Sequence, residues 1–458
     1  MGIFDWFYNG VANALASRLI GSAGTSIAKT RDYVRGKQKK QLKVRDGQFD
    51  DNITLNFVGL ITDRIVSQVI GNGFELDFEG DTETESEQWI KALLDANHQE
   101  ILFHRCVKSA AEAGTGYVVL HPEGITGSDR ETYPRIVWQE PAFVTINTAP
   151  EDFEQVTGYT IKYKLVVDGK EVQRRREITK AAALEGTDDQ AAITWLVTDF
   201  EMRNDSNVWT QVSQTPWPYY FPPLLHWQNL PGLDKAEGEP DITDDMLATQ
   251  DRVNFVASNA SKIIRFYAHP QRYSKMMGDP TKVNAGPDEM LNFQTPEGGL
   301  FQLEQMGDLA GVMGYLRLLR QAMFDRARVI DIDSMQDKIG SLTNFGLKVL
   351  YQDNINLINT HRELLGDAIE ELVQRLLILG GKEVIPCKVV WPDWMPVNEV
   401  EEISAVVQDI NAGLLSKQTA AGMRGYDWEQ EQERLADEKA GEGDIGTFVL
   451  ERFNQTGQ

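Results

Sequence analysis

Apolar residues at Phe57, Ile61, Ile65 and Val69 recur every four positions between 52 and 70, which predicts a helix with one buried face. Two shorter helices follow over 87–94 and 101–113. The period then changes. Tyr159, Ile161, Tyr163, Leu165 and Val167 alternate with polar residues and run into Asp168-Gly169, a hairpin turn pair. Strand-like runs at 192–200 and 207–212 flank a second turn at Asn204-Asp205. Helical spacing returns at 241–267 and 305–328, on either side of a segment with Pro270, Pro280, Pro287 and Pro296. Leu347, Leu350, Ile355, Ile358, Leu365, Ile369, Leu372 and Leu376 trace one long helix that stops at Gly380-Gly381, and a strand is expected over 387–391. Past Pro396, Asn398 with Glu401 makes a capping start, and Gly413, Ser416, Gly425 and Asp427 punctuate three final helices. Helices and strands in separate runs indicate an α+β protein.

The runs 241–267 and 305–328 lack the wide apolar stripe of a helix buried in its own domain. Candidate partner-facing residues in the first are small, Ala257, Ser258, Ala260 and Ser261, with Lys262 and Arg265 close behind. In the second, Gly307, Gly311 and Gly314 fall on one side at helical spacing. A glycine inside a helix costs roughly 1 kcal/mol relative to alanine, so three need a compensating contact, and close approach of another helix supplies one. The alternative is that the glycines belong to a loop and the helix begins at Tyr315. Asp308, Arg317 and Arg320 interrupt the apolar residues, which excludes a membrane-type helix seam.

Several segments around this pair carry a resemblance. They begin with Tyr33-Val34-Arg35-Gly36-Lys37, Asn52-Ile53-Thr54-Leu55-Asn56-Phe57-Val58 and Ile70-Gly71-Asn72-Gly73. Ala113-Gly114-Thr115-Gly116-Tyr117 through Leu120 follows, then His226-Trp227-Gln228-Asn229, Gly238-Glu239-Pro240-Asp241-Ile242 and Gln250-Asp251-Arg252-Val253-Asn254. Asn398-Glu399-Val400-Glu401-Glu402-Ile403, Gly413 through Thr419 and Trp428-Glu429-Gln430-Glu431 complete the set. In order and spacing they resemble the portal protein of tailed, long-tailed-type bacteriophages, the head-to-tail connector.

The resemblance implies an amino-terminal arm (1–50), an α/β wing (51–240 and 347–396), stem helices (241–267 and 305–329), a small α/β clip (268–304), a tunnel loop (330–346) and a helical crown (397–458). It implies a homo-oligomeric ring, a dodecamer in this family, at the capsid vertex of a virion and assembled in the host cytoplasm. Its partners would be double-stranded DNA, the terminase large subunit, major capsid and scaffolding proteins, and a head–tail adaptor. Carried over by position, Gln336, Lys338, Ser341, Thr343 and Asn344 would face DNA, and Arg272, Tyr273, Lys275 and Lys282 would lie where the terminase docks. Ala257, Ala260, Gly307, Gly311 and Gly314 would form the stem packing. The chain departs from the family pattern after the loop, with Ser341-Leu342-Thr343-Asn344-Phe345-Gly346-Leu347 where Ser-Gly-x-Ala-Leu is usual.

Composition narrows the picture further. At 458 residues there is room for two or three domains, and a net charge of −24 excludes bulk attraction to nucleic acid while permitting a channel whose wall repels phosphate. Residues 241–330 carry eleven acids and ten bases, against thirteen and five from Asn398 onward, so the charge is uneven. A basic cluster, Lys29, Arg31, Arg35, Lys37, Lys39, Lys40, Lys43 and Arg45, faces a single acid, Asp32; it suits packaged DNA or an acidic partner, a solvated arm, or a neighbouring subunit. Phe4, Phe7, Val11, Leu15 and Leu19 make a helical stripe, but Arg18 is its only base and Trp6 stands where a myristoylation signal needs Ser or Thr, so docking on protein is expected. Two cysteines, Cys106 and Cys387, fit a reducing compartment.

No Walker-type phosphate loop occurs, no cofactor is expected, and the six histidines suggest no triad. The enzymatic alternative is a Mg²⁺-dependent phosphodiesterase built on Asp331 and Asp333. His104-x-Cys106 lacks the second half of a zinc site.

Overall fold

A computed structural model describes residues 22–46, 49–78, 84–167, 170–180, 195–203, 208–233, 235–268, 272–275, 299–302, 309–331, 344–395 and 399–436. The chain divides into two compact units, Met1–Ser334 with Asp353–Trp394, and Met335–Gln352 with Met395–Gln458. The stripe from Phe4 to Leu19 and both expected turn pairs lie outside the described residues.

In the first unit, α1 (Ser22–Val34) ends at Gly36, whose positive φ of 76° turns the chain out of the helix. The helix expected from Asn52 begins later, as α2 (Phe57–Ile70), because Asn56 caps it by accepting from Gly59 N at 3.2 Å. Residues 52–56 form neither helix nor strand. Ile61, Ile65 and Val69 are buried as their period predicts, together with Val58 and Val66. α3 (Glu85–Ala96) starts from a Thr84-x-x-Glu87 box in which Glu87 N donates to Thr84 Oγ1 at 3.2 Å, and Asn97 links α3 to α4 (Gln99–Ala113).

β1 (Glu75–Phe78) pairs antiparallel with β12 (Cys387–Val390), which matches the strand expected near the end of the long helix. β2 (Thr115–Thr126) is the middle of a three-stranded sheet between β3 (Thr132–Trp138) and β9 (Leu224–Gln228). β4 (Val144–Ala149), β5 (Asp152–Val167), β6 (Lys170–Lys180), β7 (Trp195–Arg203) and β8 (Thr210–Trp217) form a five-stranded antiparallel meander in chain order. The β5–β6 register closes at Val167↔Lys170 around the predicted turn. α5 (Asp244–Ala268) and α6 (Leu309–Arg326) are the two unusual runs, and β10 (Arg272–Lys275) pairs with β11 (Gly299–Gln302) between them.

α7 (Asn344–Leu379) is the long helix, and its part from Asp353 onward belongs to this unit. Ile358, Leu365, Ile369, Leu372 and Leu376 are buried as expected, and Leu357, Val373 and Leu377 widen the stripe. Polar residues on the same helix pin it to the body. Arg362 donates to Gln68 O at 3.0 Å, Val69 O at 3.2 Å and Pro392 O at 2.9 Å, a cation at the carbonyl end of α2. Arg375 reaches Pro222 O and Leu224 O and pairs with Glu371.

The second unit is helical among its described residues. α8 (Glu399–Asn411) ends at Gly413, and α9 (Lys417–Met423) is capped by Ser416, which accepts from Thr419 N at 3.1 Å. Asp427 Oδ1 accepts from Glu429 N and Gln430 N ahead of helical residues 428–436. The punctuation predicted from Gly413, Ser416, Gly425 and Asp427 is thus present residue by residue.

Candidate functional site

The entrance to α5 is where distant motifs meet. Thr115 and Gly116 of β2 lie opposite Gln228 and Trp227 of β9. A Cβ on Gly116 would sit 2.1 Å from the Trp227 ring, so only glycine admits that indole. Asn229 N donates to Gly114 O at 2.8 Å, Gly238 N to Thr115 Oγ1 at 3.0 Å, and Asp241 N to Ala111 O at 3.0 Å. The Asp241 carboxylate then takes Asn229 Nδ2 at 3.0 Å and His361 Nε2 at 3.0 Å, with both acid and imidazole almost fully buried. This junction sets the direction in which α5 leaves the body.

Along α5, Gln250, Asn254 and Ser258 stand four residues apart and are at most 1% exposed. Buried polar groups need partners, and theirs lie about 200 residues earlier. Gln250 Oε1 accepts from Phe57 N at 3.1 Å and Val58 N at 3.2 Å, two of the unpaired amides at the start of α2. Asn254 Oδ1 accepts from Leu55 N at 2.9 Å, and Ser258 Oγ from Ile53 N at 3.0 Å. Arg265 forks onto Asp51 with contacts of 2.8 and 2.6 Å. Segment 51–56 is therefore strapped along α5 by side chains, which is why it is not helical where its period alone predicts a helix.

α6 packs along α5, and Arg326 Nε near its end meets Asp245 Oδ2 near the start of α5 at 3.1 Å. Arg320 lies 5.2 Å from the Phe57 ring centre and 5.5 Å from that of Phe324, and its Nη2 holds Asp331 Oδ1 at 2.6 Å. Arg64 Nη1 donates to Ile330 O at 2.8 Å and Asn354 Nδ2 to Arg328 O at 3.0 Å. The chain leaving α6 is consequently anchored up to Asp331.

The expected partner-facing side of α5 needs correction. Ala257, Ser258 and Ala260 are buried within this chain, with Ser258 covered by its own strap, and so they present no free surface. Gly311 and Gly314 lie inside α6, which begins at Leu309 and removes the loop alternative; both are exposed, and a Cβ on Gly314 would meet nothing within 4 Å. Arg272, Tyr273 and Lys275 form β10, with Arg272↔Gln302 and Lys275↔Gly299 as its outer pairs. Asn344 opens α7. Gly307, Lys282, Gln336, Lys338, Ser341 and Thr343 lie outside the described residues, as does Asp333.

The sequence reading missed the ladder Gln250, Asn254, Ser258; its signal was three short polar residues at helical spacing inside an apolar stripe of Val253, Val256, Ala257 and Ala260. His104 is exposed while Cys106 is fully buried, its thiol pushed up to about 12 by burial, so the two do not converge on one metal ion. Among the described residues no group of three His, Cys, Asp or Glu is placed to hold a metal, and no helix is long and apolar enough to cross a membrane.

An α+β body thus holds α5 and α6 through buried polar side chains and ion pairs. The chain belongs to the phage portal protein family, SPP1 Gp6-like, whose family model matches residues 25–444. No curated protein matches it. This is a structural, non-enzymatic family, and membership implies a component of a ring at a virion capsid vertex.

Proposed function

We propose that twelve copies close into a ring through which double-stranded DNA passes during packaging and ejection. The observation that carries this is the family match over 25–444, which spans body, hairpin, long helix and terminal helices in one order. In this reading α5 and α6 are the stem, and residues 269–302, with Arg272, Tyr273, Lys275 and Lys282, are the clip that docks the terminase large subunit and later the head–tail adaptor. Residues 51–240 and 347–396 form the wing, which meets major capsid and scaffolding proteins, and residues 397–458 form an acidic crown. Exposed Gly311 and Gly314 leave room on α6 for a helix of the neighbouring subunit.

Segment 330–346 is the tunnel loop, anchored at its start by Arg320 and Arg64. A conduit must touch DNA without holding it, because each phosphate neutralised adds salt-dependent affinity and therefore friction. Lys338 is the only cation from Ile330 to Leu347, and Gln336, Ser341, Thr343 and Asn344 offer neutral hydrogen-bonding surface. Negative-stain micrographs of the purified protein should show annular particles. Rings of Lys338→Glu should assemble normally yet package DNA poorly into preformed capsids, most of all at low salt where repulsion is least screened. Normal packaging by such rings at low salt would refute the tunnel assignment. The phosphodiesterase alternative is disfavoured by Asp331, whose carboxylate is taken up by the Arg320 guanidinium.

A further inference from the structure

The basic stretch after α1 is not a loose arm. Arg35, Lys37, Lys39, Lys40, Lys43 and Arg45 face one acid, Asp46, in a chain of net charge −24. All six cations are exposed, while the residues between them hold the backbone down. Gln38 Nε2 donates to Asn56 Oδ1 at 2.9 Å and to Tyr33 O at 3.1 Å, and its Oε1 accepts from Asn254 Nδ2. Gln41 Nε2 donates to Asp251 Oδ1 at 2.9 Å. Asn52 bonds both the N–H and the C=O of Leu42, at 2.8 and 3.0 Å, as a strand neighbour would.

Four nearby carboxylates are already engaged, while Asp32 and Asp46 are exposed. Asp50 pairs with Lys40, Asp51 with Arg265, Asp244 with Lys29, and Asp251 accepts from both Gln41 and the Tyr33 hydroxyl. Arg31 is drawn inward between Glu112 at 2.9 Å and Glu140 at 2.7 Å and takes no part in the surface charge. Among the described residues, Arg35, Lys37, Lys39, Lys43 and Arg45 form no ion pair, and all five are exposed.

We propose that this clamped segment is a binding strap for the phosphate backbone of duplex DNA, separate in the chain from the tunnel loop. Two observations favour DNA over the acidic face of another copy. Three of the five free cations are lysines, which protein interfaces disfavour and phosphate contacts use as mobile point charges. Exposed large apolar residues are fewer than the cations along this segment, Val44 within 35–46 with Phe49 and Ile53 beyond it, whereas a protein interface is organised around a buried apolar anchor. Pre-ordering by Gln38, Gln41 and Asn52 removes the ordering cost that a disordered basic tail meets on binding. The proposal rests on the portal reading only for the presence of DNA.

The test measures binding of a fluorescent 30-base-pair duplex to the full-length protein across a salt series. The quadruple variant Lys37→Gln, Lys39→Gln, Lys43→Gln, Arg45→Gln is compared with a charge-matched control, Lys91→Gln, Lys108→Gln, Lys235→Gln, Lys388→Gln. Each lost phosphate contact lowers the slope of log affinity against log salt by about 0.9. The strap variant should lose about 3 to 4 units of slope. Between 50 and 200 mM salt, wild type should then weaken roughly 100-fold more than the variant. The control should keep the wild-type slope. A strap variant whose slope changes by less than about one unit overturns the proposal, as does a control that loses as much. Native mass spectrometry in parallel separates the other partner: if the strap variant no longer forms wild-type rings, the cations serve subunit contact and the DNA assignment is wrong. Should wild-type protein form no ring at all, the portal reading fails, and the slope comparison on the monomer still decides the strap.

Discussion

Gln250→Leu removes the most deeply used polar side chain on α5 while keeping its volume. Gln250 has no exposed surface, and its Oε1 serves both Phe57 N and Val58 N. Its Nε2 donates to Leu55 O and, at 3.1 Å, to Asn254 Oδ1. The losses are unequal. Phe57 N retains Leu55 O at 3.0 Å, so those two groups each lose one bond and keep another. Val58, with no exposed surface of its own, loses the acceptor for its amide. An orphaned buried amide costs about 1 to 3 kcal/mol and each lost bond about 1, which gives roughly 3 to 5 kcal/mol concentrated at the start of α2. The assay is hydrogen exchange with peptide-level mass spectrometry on assembled protein. At 1.36 kcal/mol per factor of ten, protection of the amides from Leu55 to Gly59 should fall at least 100-fold, with β5 to β7 unchanged. Protection within about threefold of wild type would show that the ladder does not hold the strap, and with it would fall the reason why residues 52–56 are not helical.

Gly311→Leu adds a side chain to the exposed face of α6; overpacking of roughly 1 to 3 kcal/mol per interface, repeated around a ring, should give monomers or irregular oligomers by native mass spectrometry, and wild-type assembly would end the close-contact account of the glycines. Deletion of residues 427–458 should leave ring formation intact, since body and hairpin lie elsewhere, and loss of soluble rings in that truncation would make the terminal helices part of the structural core. Burial pushes the imidazole of His226 down to about 4, and burial with Arg176 and Arg135 does the same to His121. In the unfolded chain both take up protons below about 6.5, so the unfolded state binds more protons between 6.5 and 4 and stability must fall with pH across that window. Denaturant midpoints measured from pH 7.5 to 4.5 should drop accordingly, and the drop should shrink in His226→Phe; a flat profile would refute the buried neutral assignment.

The sequence by itself determined the class of the protein and most of its elements, because periodicity is a local property. Phe57 through Val69 and Ile358 through Leu376 mark their buried faces without reference to anything outside the helix. The Ser416 and Asp427 caps are equally local, since their bonds close within a few residues. Order and spacing of the quoted segments were enough to identify the portal family, which the match over 25–444 bears out. What covers each face was decided only in three dimensions. Ala257, Ser258 and Ala260 read as a free small-residue seam, yet the chain itself buries them, and for Ser258 the cover is residue 53, some 200 positions earlier. Residues 52–56 carry a helical prediction that side chains of α5 override by supplying the backbone with other partners. Gly114, Gly116, Asn229, Gly238 and Asp241 were visible as three separate motifs, and only the sheet pairing of β2 with β9 makes them one junction. A pattern along the chain states which side of an element avoids water; the partner that shields it, and the long-range hydrogen bonds that fix it there, exist only once the chain has folded.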